Sequence, residues 1–284
     1  MAIVSMQQIL KDAFDNRYGV GAFNIVDYIT MDAVLSAAAE TKSPVIVQAS
    51  VKTVKVMGAR LIEAMFREMA GRAPVPATLH LDHCPDRKVI EDCIAAGWNS
   101  VLFDASKLSY EDNLAQTKEV VTLAHRHGVA VEGELEAVKG VEDGVGSDEE
   151  GAVIPLDKAV AFIRATGVDS FAPAIGTAHG VYKGTPKINF ERVSQIVAAE
   201  PVPLVVHGGT GLSDDTFREL IRRGAPKVNI STQLKITFAD GFREYLEQKP
   251  LEYDPPKLLA AVKNKLVTQV SSLMCVFGSN GRAS

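Results

Sequence analysis

ATLHLDHCPDRKVIEDCIAAGWNSVLFDAS, residues 77–106, carries the pattern that decides the fold. Two apolar runs with the length of strands, 77–83 and 100–106, flank a segment of helical period at 86–97. A connection that consists of one helix joins parallel strands of the same sheet. The stretch therefore predicts one strand–helix–strand unit.

The same alternation continues along the whole chain. Strands are predicted at 20–25, 44–50, 77–83, 100–106, 130–136, 170–176, 203–209 and 227–232. Helices are predicted at 30–42, 59–71, 86–97, 110–127, 156–167, 189–199, 213–223 and 234–247, with a last one near 256–276. Eight such units favour a closed (β/α)8 TIM barrel of the α/β class over an open doubly wound sheet.

The segments outside the repeating units complete the prediction of one domain over residues 1–284. Ser5 can cap a leading N-terminal helix that would cover the barrel floor, and the last helix forms a C-terminal extension. The stretch 138–155 is Gly-rich and acidic, and it is the one long segment without a predicted element. We expect an active-site loop there, because long barrel loops at that end of a strand are usually functional.

Composition and charge narrow the classes of partner and compartment. The formal net charge is −5, and no block of Lys and Arg stands out, so neither nucleic acid nor an anionic membrane surface is an expected partner. The three cysteines, Cys84, Cys93 and Cys275, form no CxxC motif and are expected to be free thiols. Neither a signal peptide nor an apolar membrane span is recognised, so a cytoplasmic location is expected.

Polar residues are predicted at the carboxyl end of every strand, while the strand bodies are predicted to be apolar. In a barrel of this kind these ends meet at one mouth, where the active site lies. The strand-end residues are Asn24, Ser50, Asp82, His83, Asp104, Ser106, Glu134, His179, His207, Asn229, Ser231 and Thr232.

Three of the six histidines fall on this rim, at His83, His179 and His207. Neutral imidazole is the commonest zinc ligand, and catalytic zinc sites use three protein ligands with one open position. A single strand-end histidine is more often structural, but three at one mouth favour a zinc site. Asp104 and Glu134 could be outer-shell groups, alternative metal ligands or buried structural acids.

Two further acids are candidates for proton transfer. Asp82 lies beside His83 at the rim and could move protons to and from a substrate hydroxyl, or it could orient a histidine. Glu142 lies in the acidic loop, where composition alone favours a solvated side chain. A carboxylate on such a loop could also act as a base sheltered from water.

The loops predicted after the last two strands have the character of an anion site. Gly208, Gly209 and Gly211 allow close approach of backbone N–H groups, and Thr210, Ser231 and Thr232 add hydroxyls. This position is the usual phosphate site of the fold. An anionic ligand is therefore expected there.

These motifs resemble the class II, metal-dependent ketose-bisphosphate aldolases, of the branch that holds fructose-1,6-bisphosphate and tagatose-1,6-bisphosphate aldolases. The matching segments, spread over nearly the whole chain, are AFNI, HLDH, SVLFDAS, VEGELEAVKGVEDG, AIGTAHGVYKG, LVVHGGTGLS, KVNIST and FGSNG. The resemblance implies reversible cleavage of a phosphorylated ketose to dihydroxyacetone phosphate and an aldehyde such as glyceraldehyde 3-phosphate. It also implies a homodimer or homotetramer of carbohydrate metabolism, in a pathway such as glycolysis.

The resemblance further implies a role for each matching residue. His83, His179 and His207 match the Zn²⁺ ligands, Asp82 the acid/base at the C4 hydroxyl, and Glu142 the carboxylate that moves the proton on the dihydroxyacetone phosphate carbon. The positions that match dihydroxyacetone phosphate contacts are Gly180, Gly208, Gly209, Thr210, Asn229, Ser231 and Thr232. Asn24 and Ser50 match contacts at the aldehyde end, and family members commonly use a monovalent cation, Na⁺ or K⁺, near the phosphate.

The chain departs from the family pattern outside the histidines. Lys139 precedes Gly140 where Gly-Gly is usual, Lys107 ends a DASK segment where DASH is common, and DPP at 254–256 stands where DPR is frequent. Ser231 occupies a position that differs between fructose and tagatose enzymes. These departures leave the ketose, its C4 stereochemistry and its second phosphate open.

Two alternatives compete with this interpretation. One is an aldolase of another class that forms a Schiff base through Lys227, although Lys227 begins its predicted strand and so lies at the wrong end for the mouth. The other is a non-catalytic sugar-phosphate-binding protein. The full set of Asp82, Glu142 and three histidines argues against the second.

Overall fold

The computed structural model confirms a parallel (β/α)8 barrel. Its strands are β1 (Val20–Asn24), β2 (Val45–Ser50), β3 (Ala77–Cys84), β4 (Ser100–Phe103), β5 (Ala130–Glu134), β8 (Ser170–Ala172), β9 (Val205–Val206) and β10 (Lys227–Ile230). They pair in the order β8-β5-β4-β3-β2-β1-β10-β9, all in parallel. A parallel bridge between Phe171 and Leu204 joins the two outer strands and closes the barrel.

Helices surround the barrel and match the predicted ones within a few residues. They are α1 (Met6–Asn16), α2 (Tyr28–Thr41), α3 (Val51–Met57), α4 (Ala59–Ala70), α5 (Arg87–Ala96), α6 (Tyr110–Arg126), α7 (Leu156–Thr166), α8 (Phe190–Ala199), α9 (Asp214–Arg223), α10 (Thr232–Gln248) and α11 (Pro255–Phe277). The short helix α3 was not predicted, because its seven residues are too few to show a helical period. No helix of the described part is long and apolar enough to cross a membrane.

The structure describes residues 3–136, 140–142, 145–147, 153–182 and 184–283. Within the segment 138–155, where no element was predicted, a small antiparallel ribbon forms from β6 (Gly140–Glu142) and β7 (Val145–Ser147). The sequence did not predict this ribbon, because three residues per strand are too few to show an alternation of polar and apolar side chains. The rest of the expected active-site loop, at 138–139, 143–144 and 148–152, lies outside the described residues.

Helix α1 closes the lower end of the barrel, as predicted from its cap. The Ser5 hydroxyl accepts a hydrogen bond from the N–H of Gln8 at 3.2 Å and so satisfies one of the free N–H groups of the first turn. An apolar cluster fills the space between α1 and the lower strand ends. Its members are Met6, Ile9, Leu10, Ala13, Tyr18, Val20, Ala22, Ile46 and Ala130.

The interior above this cluster differs from the sequence-based expectation. Strand bodies were predicted to be apolar, yet Gln48, His80, Glu132 and Lys227 are all fully buried within strands. Alternate residues of a strand point to the same side, so each of these lies one layer below a polar residue of the mouth. The barrel therefore holds polar side chains in the layer below the mouth as well as at the mouth.

Candidate active site

An irregularity at the end of β3 brings two neighbouring residues to the same side of the strand. Asp82 and His83 follow each other, and in a regular strand they would point to opposite faces. The register between β3 and β4 shifts between Leu81 and Cys84, and His83 adopts a left-handed backbone with φ of 43°. Both side chains consequently enter the barrel mouth, where Asp82 contacts Asn24 and His83 contacts His207.

The three predicted histidines lie together, although they are far apart in sequence. The Nδ1 atom of His207 is 2.8 Å from the Nε2 atom of His83. The ring centroid of His179 is 4.9 Å from that of His83 and 5.9 Å from that of His207. One nitrogen of each histidine lies within 4.8 Å of the others, and all three side chains are buried.

Carboxylates fix which nitrogens of two histidines face each other. The Nδ1 atom of His83 lies 3.0 Å from Asp104 Oδ2, and the Nε2 atom of His207 lies 2.7 Å from Glu132 Oε1. Because a carboxylate accepts, these two nitrogens carry the protons. The remaining nitrogens, Nε2 of His83 and Nδ1 of His207, then face each other at a distance that one shared proton or a bound cation can bridge.

The electrostatics of the cluster suit a shared cation. Burial lowers the pKa of His207, and burial together with the neighbouring rings of His83 and His207 lowers the pKa of His179 well below its usual value. For His83, burial opposes the charged form, but Asp82, Glu134 and Asp104 outweigh it and raise the pKa. Two of the imidazoles are thus neutral, and the acids around His83 favour a positive charge there, which a proton or a bound metal ion can supply.

A second group of candidate ligands shares His83. His83, Asp104 and Glu134 also place one ligand atom each within 4.8 Å of one another, and all three are buried. Asp104 Oδ1 accepts from the Ser106 hydroxyl at 2.6 Å, while its Oδ2 faces His83. The pKa of Asp104 is lowered, because its bonds with His83 and Ser106 outweigh the opposing effect of burial. An ionised Asp104 can either orient His83 or bind a cation itself.

Asp82 sits beside the histidines and is held by two amides. The Nδ2 of Asn24 donates to Asp82 Oδ2 at 2.8 Å, and the Nδ2 of Asn229 lies 3.4 Å from Oδ1. Burial alone would raise the pKa of Asp82, but His83, His207 and Lys227 outweigh it and lower the pKa. The carboxylate is therefore ionised at neutral pH and can accept a proton from a hydroxyl.

The loop after β9 approaches neighbouring backbone so closely that only glycine fits. Gly208 has φ of 67°, and a Cβ there would lie 2.3 Å from the carbonyl oxygen of Ala178. A Cβ on Gly209 would lie 2.9 Å from the carbonyl oxygen of Asn229. The two glycines thus allow the loop that bears His207 to pack closely against the backbone of Ala178 and of Asn229.

Hydroxyls line the junction of the last two loops, as the sequence predicted. Thr210 Oγ1 accepts from the N–H of Gln233 at 3.1 Å and ties the loop after β9 to the first turn of α10. Ser231 precedes that turn, and its buried hydroxyl makes no hydrogen bond within the described part of the chain. Thr232 begins the helix. A helix N-terminus with an available hydroxyl favours an anion.

The remaining predicted residues divide into three cases. Gly180, next to His179, has φ of 85°, and a Cβ added there would meet no atom of the described residues within 4 Å. Ser50 pairs in register with Asp82, but its hydroxyl caps α3 by accepting from the N–H of Thr53. Glu142 ends β6, and its side chain lies outside the described part of the structure.

Below the histidines lies a fully buried ion pair that sequence reasoning missed. Lys227 Nζ is 2.8 Å from Glu132 Oε2, 2.7 Å from Asn229 Oδ1 and 3.4 Å from Gln48 Oε1. The place of Lys227 at the start of its strand was expected to keep it away from the mouth. That expectation is wrong for the side chain, which runs along the inside of the barrel to the level of Asn229. The sequence could have predicted this, because Lys227 lies two residues before Asn229 and side chains two residues apart on a strand point to the same side.

A tyrosine also joins two of the loops that carry histidines. The Tyr182 hydroxyl accepts from the N–H of Ala178 at 3.0 Å and donates to the carbonyl oxygen of Gly208 at 2.8 Å. Ala178 and Gly208 are direct neighbours of His179 and His207. The relative position of these two histidines is therefore set by backbone contacts between their loops.

A buried histidine cluster at the carboxyl-end mouth of a (β/α)8 barrel, with an ionised acid beside it, defines a class of metal-assisted enzymes. The family model described as "Fructose-bisphosphate aldolase class-II" matches residues 4–282. The chain therefore belongs to the class-II fructose-bisphosphate aldolase family, whose members are lyases that use a metal.

Individual relatives agree with this assignment. The chain is 36% identical over 284 residues to a sulfofructosephosphate aldolase of Alkalicoccus urumqiensis, covering 100% of this chain and 99% of that protein. It is 38% identical over 289 residues to a probable fructose-bisphosphate aldolase of Bacillus subtilis, covering 100% of both. The crystal structure of the YdjI aldolase of Escherichia coli K12 superposes with a TM-score of 0.87 at 31% identity, covering 99% of this chain and 100% of that chain. Aldol cleavage is thus the activity of this chain, while these names span more than one substrate.

Proposed function

We propose that this aldolase is zinc-dependent and reversibly cleaves a ketose 1-phosphate, of the fructose-1,6-bisphosphate or tagatose-1,6-bisphosphate type, to dihydroxyacetone phosphate and an aldehyde. One observation carries the proposal. Two imidazole nitrogens that no carboxylate contacts, Nε2 of His83 and Nδ1 of His207, face each other at 2.8 Å in the barrel mouth. The pair needs a positive charge between the two nitrogens, and a metal ion bound there would replace the proton of His83.

His83, His179 and His207 would hold the cation, with an open position toward the mouth. A bound zinc ion supplies Lewis-acid polarisation of the ketose carbonyl. Asp104 and Glu132 keep His83 and His207 in the tautomers that bind a metal. The set of His83, Asp104 and Glu134 is a second or alternative metal site in this proposal.

Asp82 would take the proton of the C4 hydroxyl as the C3–C4 bond breaks and would return it in the condensation direction. Its lowered pKa supports the role of a base, and the amides of Asn24 and Asn229 hold its two oxygens in place. Glu142 would move the proton on the dihydroxyacetone phosphate carbon. Its role rests on the family resemblance and on its place in the loop after β5.

The phosphate of dihydroxyacetone phosphate would bind at the loops after β9 and β10. The N–H groups around Gly208 and Gly209, the hydroxyls of Thr210 and Ser231 and the first turn of α10 from Thr232 support this placement. Gly180 lies open beside His179 and would leave room for the substrate. A Na⁺ or K⁺ ion near the phosphate is part of the proposal by family resemblance.

At the aldehyde end, Asn24 and Ser50 would contact the substrate. Ser50 already caps α3, so its hydroxyl has one lone pair left for a ligand. The relative named sulfofructosephosphate aldolase indicates that the substrate is not the same for all members of this family. A different ketose 1-phosphate is therefore the second candidate substrate.

The setting of the enzyme completes the proposal. We place it in the cytoplasm, in carbohydrate metabolism of the glycolytic kind, as one functional domain that acts on small sugar phosphates. A homodimer or homotetramer is proposed. Neither nucleic acid nor a membrane is among its proposed partners.

A panel of ketose phosphates tests the proposal. It should contain fructose 1-phosphate, fructose 1,6-bisphosphate, tagatose 1,6-bisphosphate and 6-deoxy-6-sulfofructose 1-phosphate, each scored by release of dihydroxyacetone phosphate. We expect release from at least one member, loss of release with a chelator and recovery with added zinc. Release that survives the chelator but is stopped by borohydride would instead support a Schiff base on Lys227.

A further inference from the structure

The buried lysine below the histidines contacts both halves of the proposed machinery. Lys227 is fully buried and places its ammonium against three acceptors, namely the carboxylate of Glu132 and the amide oxygens of Gln48 and Asn229. An ammonium group donates and never accepts. Each amide must therefore turn its oxygen toward Lys227 and its NH₂ group away from it.

Two chains of hydrogen bonds, each with its donors pointing away from Lys227, lead from Lys227 to Asp82. The NH₂ group of Asn229 lies 3.4 Å from Asp82 Oδ1 and 3.3 Å from His207 Nε2, and Asp82 is its acceptor because that nitrogen of His207 carries a proton. The NH₂ group of Gln48 donates to Asn24 Oδ1 at 2.6 Å, and the NH₂ group of Asn24 in turn donates to Asp82 Oδ2 at 2.8 Å. Each oxygen of Asp82 thus faces an amide NH₂ group, and the contacts of Lys227 fix the orientation of both amides.

A second branch runs from Lys227 to the histidines. Lys227 holds Oε2 of Glu132, and Oε1 of Glu132 accepts from His207 Nε2 at 2.7 Å. The proton on Nε2 leaves Nδ1 of His207 directed at His83. A buried carboxylate is costly without a counter-charge, so Lys227 allows the acceptor for His207 to be a charged carboxylate.

We propose that Lys227 is a positioning residue that sets the direction of hydrogen bonding in both branches, toward Asp82 and toward His207. It does not contact the reacting atoms in this assignment and forms no Schiff base. The inference rests on the proposed function for the role of Asp82. Its metal branch, in contrast, can be tested in protein without substrate.

Two double variants separate the branches. Replacing Lys227 alone would leave Glu132 as a buried charge without a counter-charge, so the protein could fail to fold. Lys227→Met/Glu132→Gln removes both charges and keeps an acceptor for His207. Lys227→Met/Glu132→Leu removes both charges and the acceptor as well. Thr78→Val is the matched control, because Thr78 is buried in β3 and its hydroxyl makes no hydrogen bond in the described part of the chain.

Zinc affinity, measured by competition with a chromogenic chelator, tests the metal branch. We expect the Gln double variant to bind zinc within about threefold of wild type and the Leu double variant to bind it roughly 10- to 100-fold more weakly, as for other outer-shell partners of a ligand. Equal affinity of the two double variants would overturn this branch. The measurement is unaffected by failure of the proposed substrate class.

Turnover at saturating zinc tests the branch toward Asp82. We expect kcat of the Gln double variant to fall at least about tenfold while KM stays within about threefold, because the amides that orient Asp82 lose their common donor. A kcat within threefold of wild type would mean that Lys227 merely neutralises Glu132, and it would overturn the proposal. If wild-type protein cleaves no ketose phosphate in the same assay, the proposed function fails instead.

Discussion

The lower and upper parts of the barrel interior come from the same eight strands, yet they hold opposite kinds of side chain. The lower part is apolar, with Val20, Ile46 and Ala130 packed on Leu10 and its neighbours in α1. The upper part holds histidines, carboxylates and amides that bond with one another, such as His83 with Asp104. A strand that is only five or six residues long thus contributes to stability at one end and to chemistry at the other.

The two parts differ in the free energy that their side chains gain or lose when they are buried. Apolar side chains gain free energy roughly in proportion to the area removed from water. Buried polar groups gain little beyond what they lose in hydration, and they are costly whenever a partner is missing. Changes in the lower part should therefore reduce the free energy of unfolding and leave turnover unchanged. Changes in the upper part should reduce turnover and affect the free energy of unfolding less. Four changes test this separation.

Loss of a candidate metal ligand should give the largest effect, at the upper part. In His207→Ala we expect zinc binding and activity to be lost together, with turnover reduced at least about a thousandfold, because several kcal/mol of charge stabilisation disappears. Zinc content and kcat are the measurements. His127→Ala, at the exposed end of α6, is the control. Stoichiometric zinc with normal turnover in His207→Ala would refute the site.

Truncation in the lower part should do the opposite. Leu10 is 1% exposed between α1 and the strands, so Leu10→Ala should lower the free energy of unfolding by about 2–5 kcal/mol through lost burial and a cavity. The kcat of the folded fraction should remain at the wild-type value. Urea unfolding measures the first quantity. Leu61→Ala, at a position 52% exposed, should change it by less than about 0.5 kcal/mol.

A buried histidine between the two parts should make stability depend on pH. Burial, followed by the charge of Lys227, lowers the pKa of His80 to about 3. Between pH 6.5 and 5 the unfolded chain therefore binds a proton that the folded chain does not, so stability falls as the pH falls. In His80→Gln we expect the slope for metal-free protein to decrease by about 0.7 kcal/mol per pH unit at pH 6.5 and by about 1.4 kcal/mol per pH unit, one full proton, near pH 5.

Chemical unfolding at several pH values measures that slope. Other histidines titrate in both proteins, so the difference between the two slopes isolates His80. The same slope in variant and wild type would contradict the assignment of His80 as a neutral interior group. The hydrogen bond of His80 with Ser100, at 2.9 Å, keeps the ring in place at neutral pH.

Loss of an outer partner should give the smallest effect. Asp104 faces Nδ1 of His83 at 3.0 Å, so Asp104→Asn should weaken zinc binding by roughly 10- to 100-fold while stability without metal changes little. Competition with a chelator gives the affinity. Asp92→Asn, on the exposed face of α5, serves as the control. Unchanged affinity would exclude an orienting role and would exclude metal binding by Asp104 as well.

Much of the fold could be predicted from local pattern. The alternation of apolar strands with helical segments depends only on neighbouring residues, and all eight strands and the outer helices were located from it. Strand length was less predictable, since β9 covers only Val205–Val206 of the predicted 203–209. The ribbon around Gly140–Glu142 and the seven-residue α3 were missed because their periods are too short to recognise.

For the site, the sequence by itself determined which residue types reach the mouth, because the carboxyl end of each strand can be read from its pattern. His83, His179 and His207 follow from that rule. Only the tertiary structure decided how they meet. The left-handed backbone at His83 turns two adjacent residues to one side. The long side chain of Lys227 crosses from one layer to the next, to Asn229 and Glu132. Both depend on contacts between strands distant in sequence, which no local pattern records.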